Sequence, residues 1–165
     1  MAAFEMLYRR HKDPLYRYFL RGCDSREGAA ELFQDVWANL VLARAGYEPR
    51  AKFTTWLYTL AHNRLMDYFR LRVVPTAPLE AAEHVEDTRI ERPDQAARNA
   101  QLRARLSACL AQLPIEQREA FLLKEEGGLS LEEIATAQGV GRETVKSRLR
   151  YALAKLREEL KDVWP

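Results

Sequence analysis

The sequence predicts an all-α protein made of two small helical domains on a tether. Three observations carry that prediction. Apolar residues recur at helical spacing through most of the chain, and no stretch stands out as a strand. Residues 72–95 (RVVPTAPLEAAEHVEDTRIERPDQ) break that pattern with three prolines and most of the local acid, the composition of a flexible linker. Near the C-terminus, a capping box, a glycine turn and a long basic helix follow one another in LSLEEIATAQGVGRETVKSRLRYALAKLR. The expected domains are therefore 1–72 and 96–165, with 73–95 between them.

The first helix is expected over 3–21, from Phe4, Leu7, Tyr8, Leu15, Tyr18 and Phe19, with Pro14 starting a new turn or kinking it. GCDS is a loop, and Ser25 is a candidate cap for a second helix over 26–45. There Ala29, Leu32, Phe33, Val36, Leu40 and Val41 keep the i, i+3, i+4 rule, and Gly46 ends the run. After the loop at 46–52, a third helix over 53–71 places Phe53, Leu57, Leu60, Ala61, Leu65 and Tyr68 on one face. Trp56 reads as core and Tyr58 as exposed.

Beyond the linker, a fourth helix over 96–112 carries Leu102, Leu106 and Leu110, with Leu113 continuing its face. Pro114 suits the first turn of a fifth, which holds Ala120, Phe121, Leu122 and Leu123 and ends near Gly127-Gly128. Ser130 and Glu133 form the capping box of a short helix over 131–138. Gly139 suits a left-handed stop, and Ala135, four residues earlier, leaves room for a close helix crossing. Val145 falls on the inner face of the helix that follows. Small residue, turn glycine and inner valine at this spacing describe a helix-turn-helix. In its second helix, Val145, Leu149, Ala152, Leu156 and Leu160 face inward. Glu143, Ser147, Arg150 and Tyr151 lie opposite, with Arg142 and Lys146 near the start. Such residues suit base edges in a major groove, whereas Arg148, Lys155 and Arg157 read as phosphate contacts or surface.

Charge agrees with this division. The net charge is only +2, but residues 1–72 hold 12 Lys/Arg against 8 Asp/Glu and residues 96–165 hold 12 against 10. Residues 73–95 hold 2 against 6, so two basic blocks flank an acidic connector, as two anion-binding modules would. Cys23 and Cys109 lie far apart, without a CxxC, and read as small buried hydrophobes of a reducing compartment. His11, His62 and His84 form no ligand pair at helical spacing. No apolar run reaches the ~18 residues of a membrane span, and no cofactor is expected.

LPIEQREAFLLKEEGGLSLEEIATAQGVGRETVKSRLRYALAKLR resembles region 4 of bacterial extracytoplasmic-function sigma factors, of the sigma-70 family. FTTWLYTLAHNRLMDYFR resembles their region 2 helix, and AAELFQDVW their core-polymerase-binding helix. The resemblance covers nearly the whole chain, in order. It implies a cytoplasmic protein that joins core RNA polymerase, directs it to a promoter and helps melt it. Region 4 would read the −35 element as duplex, through Arg142, Glu143, Lys146, Ser147, Arg148, Arg150 and Tyr151. Region 2 would read the −10 element as single strand, with Tyr47 and Asn63 on a flipped base and Lys52, Arg64 and Arg70 on phosphates. Gln34, Asp35, Trp37 and Ala38 would meet core polymerase. The resemblance also implies an anti-sigma factor as regulator, which could hold the protein at the inner membrane. Three departures stand out: members usually have a helix ahead of Ala3-Phe4, many have arginine at Tyr151, and Gly141 replaces a serine cap at a cost of only a few tenths of a kcal/mol.

Competing readings meet specific objections. Activators of the quorum-sensing type share the helix-turn-helix but lack the motifs at 29–70. A small all-α enzyme would need an acid pair, triad, metal cluster or phosphate loop, and none is legible. A decoy that binds polymerase or an anti-sigma factor without DNA conflicts with the basic recognition helix.

Overall fold

The computed structural model describes residues 2–23, 25–71 and 92–163. Three helices come before the connector: α1 (Ala2–Gly22), α2 (Arg26–Ala43) and α3 (Phe53–Leu71), with one 3-10 turn at Arg44–Gly46. Four follow: α4 (Pro93–Ala111), α5 (Ile115–Glu125), α6 (Leu131–Gln138) and α7 (Arg142–Leu160). No strand occurs among the described residues. The predicted fold class therefore holds, helix by helix. The linker read over 72–95 lies mostly outside the described residues. Its last three positions belong to α4, which opens with Pro93 at its first turn, where a missing N–H costs nothing.

The local chemistry explains the boundaries. Ser25 caps α2 by accepting from the Gly28 amide at 2.9 Å. Pro14 sits inside α1 without ending it. Next to it, Leu15, Tyr18 and Phe19 are completely buried, so packing holds the helix through a residue that cannot donate. α2 gives way to the 3-10 turn two residues earlier than expected, and Val41 is exposed at its end.

The two halves do not stand apart. α5 packs on α1, α6 packs on α3, and α4 touches α1. One continuous apolar core runs from Leu15 and Phe19 through Leu57 and Leu65 to Leu122, Leu123 and Ile134. This overturns the sequence expectation for Tyr58, which is 1 % exposed. Its ring stands edge-on to Tyr18, and Gly127 comes so close that an added Cβ would lie 3.3 Å from it. The second half covers what would be a surface residue of the first. Leu102, by contrast, was expected on the buried face of α4 and is 37 % exposed. Cys23 and Cys109 are both buried, as expected.

Candidate nucleic-acid interface

The helix-turn-helix forms as its sequence dictates. Ser130 Oγ accepts from the Glu133 amide at 3.2 Å, and Glu133 Oε1 accepts from the Ser130 amide at 3.3 Å, closing the capping box. Gly139 ends α6 at φ +67°, a left-handed conformation open to glycine at no steric cost. The chain then reverses, and α7 starts at Arg142 with Val145, Leu149, Ala152, Leu156 and Leu160 all buried. Arg142, Glu143, Lys146, Arg150 and Tyr151 are exposed on the outer face, with Ser147 half-buried beside them. Arg142 pairs with Glu132 of α6 at 3.0 Å, and Lys146 lies 3.8 Å from Glu143. The Arg150 guanidinium sits 5.3 Å over the Tyr151 ring, which orients a cation on the outer face.

Arg148 behaves differently. It is half-buried, and its Nη1 donates to Gln138 Oε1 at 3.0 Å. It faces back into the domain, so a free phosphate or base contact does not describe its position.

The loop at 46–52 and α3 build the second expected site. The Tyr47 ring lies against Trp56 at 4.5 Å, and Phe53 stands edge-on to Trp56 at 6.0 Å. Tyr47 and Trp56 line an open cleft of about 830 Å³ with Gly46, Arg50, Thr55 and Thr59. Its far wall is Thr136 of α6. Asn63 and Arg64 line another cleft of about 530 Å³, with Asn39, Leu60 and Asp67. Leu42 and Ala43 border both. The structure thus places Tyr47 and Asn63 on either side of the end of α2, not in one cleft. Lys52 is exposed, 3.9 Å from Glu133 of α6. Arg70 is exposed beside Asp67.

On α2, Gln34, Asp35 and Ala38 are exposed and share a surface. Trp37 is not part of it. Only 6 % exposed, it packs among Phe4, Tyr8 and Phe33 at centroid distances of 6.0, 5.1 and 6.2 Å. The expectation of a polymerase contact there is corrected by packing: position 37 lies one residue from Val36 and four from Phe33, on the apolar stripe.

The comparisons with known proteins decide the family. Residues 7–73 match the family described as Sigma-70 region 2, and residues 103–156 match Sigma-70, region 4. Over 157 residues the chain is 31 % identical to ECF RNA polymerase sigma factor SigM of Mycobacterium tuberculosis, covering 93 % of this chain and 75 % of the relative. The chain belongs to the ECF sigma factors of the sigma-70 family. It is also 30 % identical to the RNA polymerase sigma factor CarQ of Myxococcus xanthus, over 96 % of this chain and 89 % of the relative. The fold superposes on sigma factor RpoE of Bartonella quintana, solved in complex with the anti-sigma factor NepR, with a TM-score of 0.81, 22 % identity and complete coverage of both chains.

Within the sigma factor, sequence reasoning missed a buried polar centre. Glu119 of α5 is 0 % exposed. Tyr18 Oη donates to it at 2.6 Å, Gln138 Nε2 donates at 2.8 Å, and His62 Nδ1 lies 2.7 Å from both of its oxygens. Burial, and then the Glu119 carboxylate, push the Tyr18 phenol well above its ordinary value, which keeps it a donor. A signal was available: Glu119 shares the apolar face of α5 with Ile115 and Leu122, and Gln138 stands one turn after Ile134. Polar residues on an apolar stripe are buried with partners. The partners themselves, more than fifty residues away in Tyr18 and His62, were not legible.

Proposed function

We propose that this sigma factor joins core RNA polymerase and directs it to promoters whose −35 element is read as duplex and whose −10 element is read as a melted strand. The observation that carries the reading is α7: a helix-turn-helix second helix whose N-terminal half presents Arg142, Lys146 and Arg150 outward while its apolar stripe stays buried. Arginine or lysine there donates to guanine, Glu143 accepts from cytosine, and Ser147 bonds either. The Tyr47–Trp56 pair offers aromatic faces on which an unpaired base stacks. Asn63 reads a base edge from the neighbouring cleft, while Lys52, Arg64 and Arg70 hold backbone phosphates. Gln34, Asp35 and Ala38 form the polymerase-facing surface of α2.

The protein is an initiation factor, and the polymerisation chemistry belongs to core polymerase. No helix among the described residues is long and apolar enough to cross a membrane. We place its action in the cytoplasm under an anti-sigma factor, a reading supported by the similar sigma factor solved with NepR. Membrane tethering would then come from that regulator.

Run-off transcription tests the reading. Core polymerase, this protein and a promoter-rich genomic library should give discrete starts that need the protein and share a −35 and a −10 sequence. Absence of such starts despite binding to core would favour a decoy, and absence of core binding would leave a DNA-binding regulator.

A further inference from the structure

At the end of α2 the sigma factor leaves a large apolar side chain in water. Leu42 is 80 % exposed, although the stripe of the same helix buries Leu32, Val36 and Leu40. A lone exposed leucine is ordinary on a protein surface. This one stands at a particular place. Leu42 and its neighbour Ala43 form the ridge between the Tyr47 cleft and the Asn63 cleft, and they border both. On one side of the ridge lie the rings of Tyr47 and Trp56. On the other lie Asn39, Asn63 and Arg64, with Leu60.

The two clefts offer different chemistry. The first gives flat aromatic faces, on which any base stacks. The second gives carboxamides. Neither Asn39 nor Asn63 makes a hydrogen bond within the described residues, so each keeps its donors and its acceptor for a ligand. Asparagine meets adenine with that combination, at N6 and N7. Arg64 has no ion pair among the described residues and sets a cation beside the two carboxamides. Stacked neighbours in one strand are about 3.4 Å apart. Neighbours lodged on opposite sides of one side chain are about 7 Å apart, twice that rise, and the stack between them is broken. Leucine suits such a step because it replaces the lost stacking with apolar contact and asks for no hydrogen bond.

We propose that Leu42 is a wedge that splits two adjacent bases of the melted strand, one stacked on the Tyr47–Trp56 pair and the next, an adenine, held by Asn39 together with Asn63. The inference rests on the reading of the −10 element as a single strand. It adds a second base-reading residue on α2 and the side chain that keeps the two subsites apart. A strand split in this way cannot restack across the occupied gap, so the wedge holds the opened state. Leu42 lies one turn beyond Ala38 and two beyond Asp35 on the same face of α2. The wedge therefore stands where the polymerase-facing surface ends, and a polymerase contact is the competing use of its exposed side chain.

Short randomised single strands test this on the full chain bound to core polymerase, or on the chain alone if core does not bind. Neither Leu42 nor Asn39 belongs to the buried core, and circular dichroism checks the fold of each variant. The parent should enrich strands with an adenine at one position, and Asn39→Ala should lose that preference about tenfold. 2-Aminopurine placed at that position reports stacking, since it brightens when its neighbour is removed. It should be bright on the parent and on Leu42→Met, which keeps an apolar wedge, and dim on Leu42→Ser, where the bases restack. Equal brightness on parent and Leu42→Ser, an adenine preference that survives Asn39→Ala, or no single-strand binding by the parent would overturn the proposal. Loss of core binding in Leu42→Ser with unchanged brightness would assign the leucine to polymerase instead. Run-off assays keep the readings apart. Discrete starts from a parent whose probe stays dim remove the wedge and leave the promoter reading, whereas a bright, Asn39-dependent strand without starts removes the promoter reading and leaves the wedge.

Discussion

Arg148 and Arg150 stand two positions apart on α7 and point to different tasks. Arg148 donates inward to Gln138, while Arg150 stays exposed over Tyr151. Arg150→Ala and Lys146→Ala are each expected to weaken −35 duplex binding by about 1–3 kcal/mol and to relax preference at one base pair, read by anisotropy on a set of single-substituted duplexes. Unchanged affinity and preference would remove these residues from the readout. Tyr58 makes the opposite kind of prediction. Its hydroxyl is buried with no hydrogen-bond partner among the described residues, and burial pushes its ionisation up. Tyr58→Phe should therefore stabilise the chain by about 1 kcal/mol, seen as a higher urea midpoint at constant slope. Position 58 sits between the apolar Leu57 and the stripe residue Ala61, and its burial needs Gly127 from the other half. Nothing local in the sequence could give that.

At the scale of elements, α6 and α7 are set by capping chemistry. Gly139 holds φ +67°, so Gly139→Ala should cost roughly 1–2 kcal/mol of stability through left-handed strain alone. Equal urea midpoints would show that the turn relaxes. Glu133 adds a pH dependence. Burial acts to raise its carboxyl value, but bonds from Thr55 and Ser130 and the charge of Lys52 outweigh it, and the net value falls below the ordinary 4.5. A depressed folded value means the contribution is present above the unfolded value and is lost as pH falls through the folded one. Melting temperature should thus drop in acid below about pH 4.5, and less steeply in Glu133→Gln, which carries no titrating group. Parallel acid profiles for parent and variant would assign the loss to other carboxylates. The helices themselves, down to α3 and α6 at their expected limits, were legible because periodicity and caps are local. α2 ended two residues early, where Arg44, Ala45 and Gly46 form an exposed 3-10 turn.

For the whole molecule, the question is what holds the halves together. Glu126 sits between Arg17 and Arg21, each with a quarter to a third of its side chain exposed. Solvent screens such pairs, so Glu126→Gln should cost only about 1 kcal/mol, with hydrogen exchange rising at α1 and α5 before the rest. A uniform rise would mean that the halves unfold as one unit. The sequence reading of two modules on a tether was right about the modules and missed their union. It placed Lys52 at the end of the loop before α3, where the structure adds Glu133 of α6 at 3.9 Å, and it set Trp37 on a docking face that packing has buried.

The sequence by itself determined the all-α class, the helix-turn-helix with its exposed basic face, and the family, since each rests on spacing within a few dozen residues. The tertiary structure alone decided that the two halves share one core, that Glu119 is satisfied by Tyr18 and His62, and that Tyr47 and Asn63 occupy separate clefts. The physical reason is range. Caps and amphipathic stripes are written between neighbours, whereas a buried carboxylate finds its partners only after two distant faces have been dried against each other.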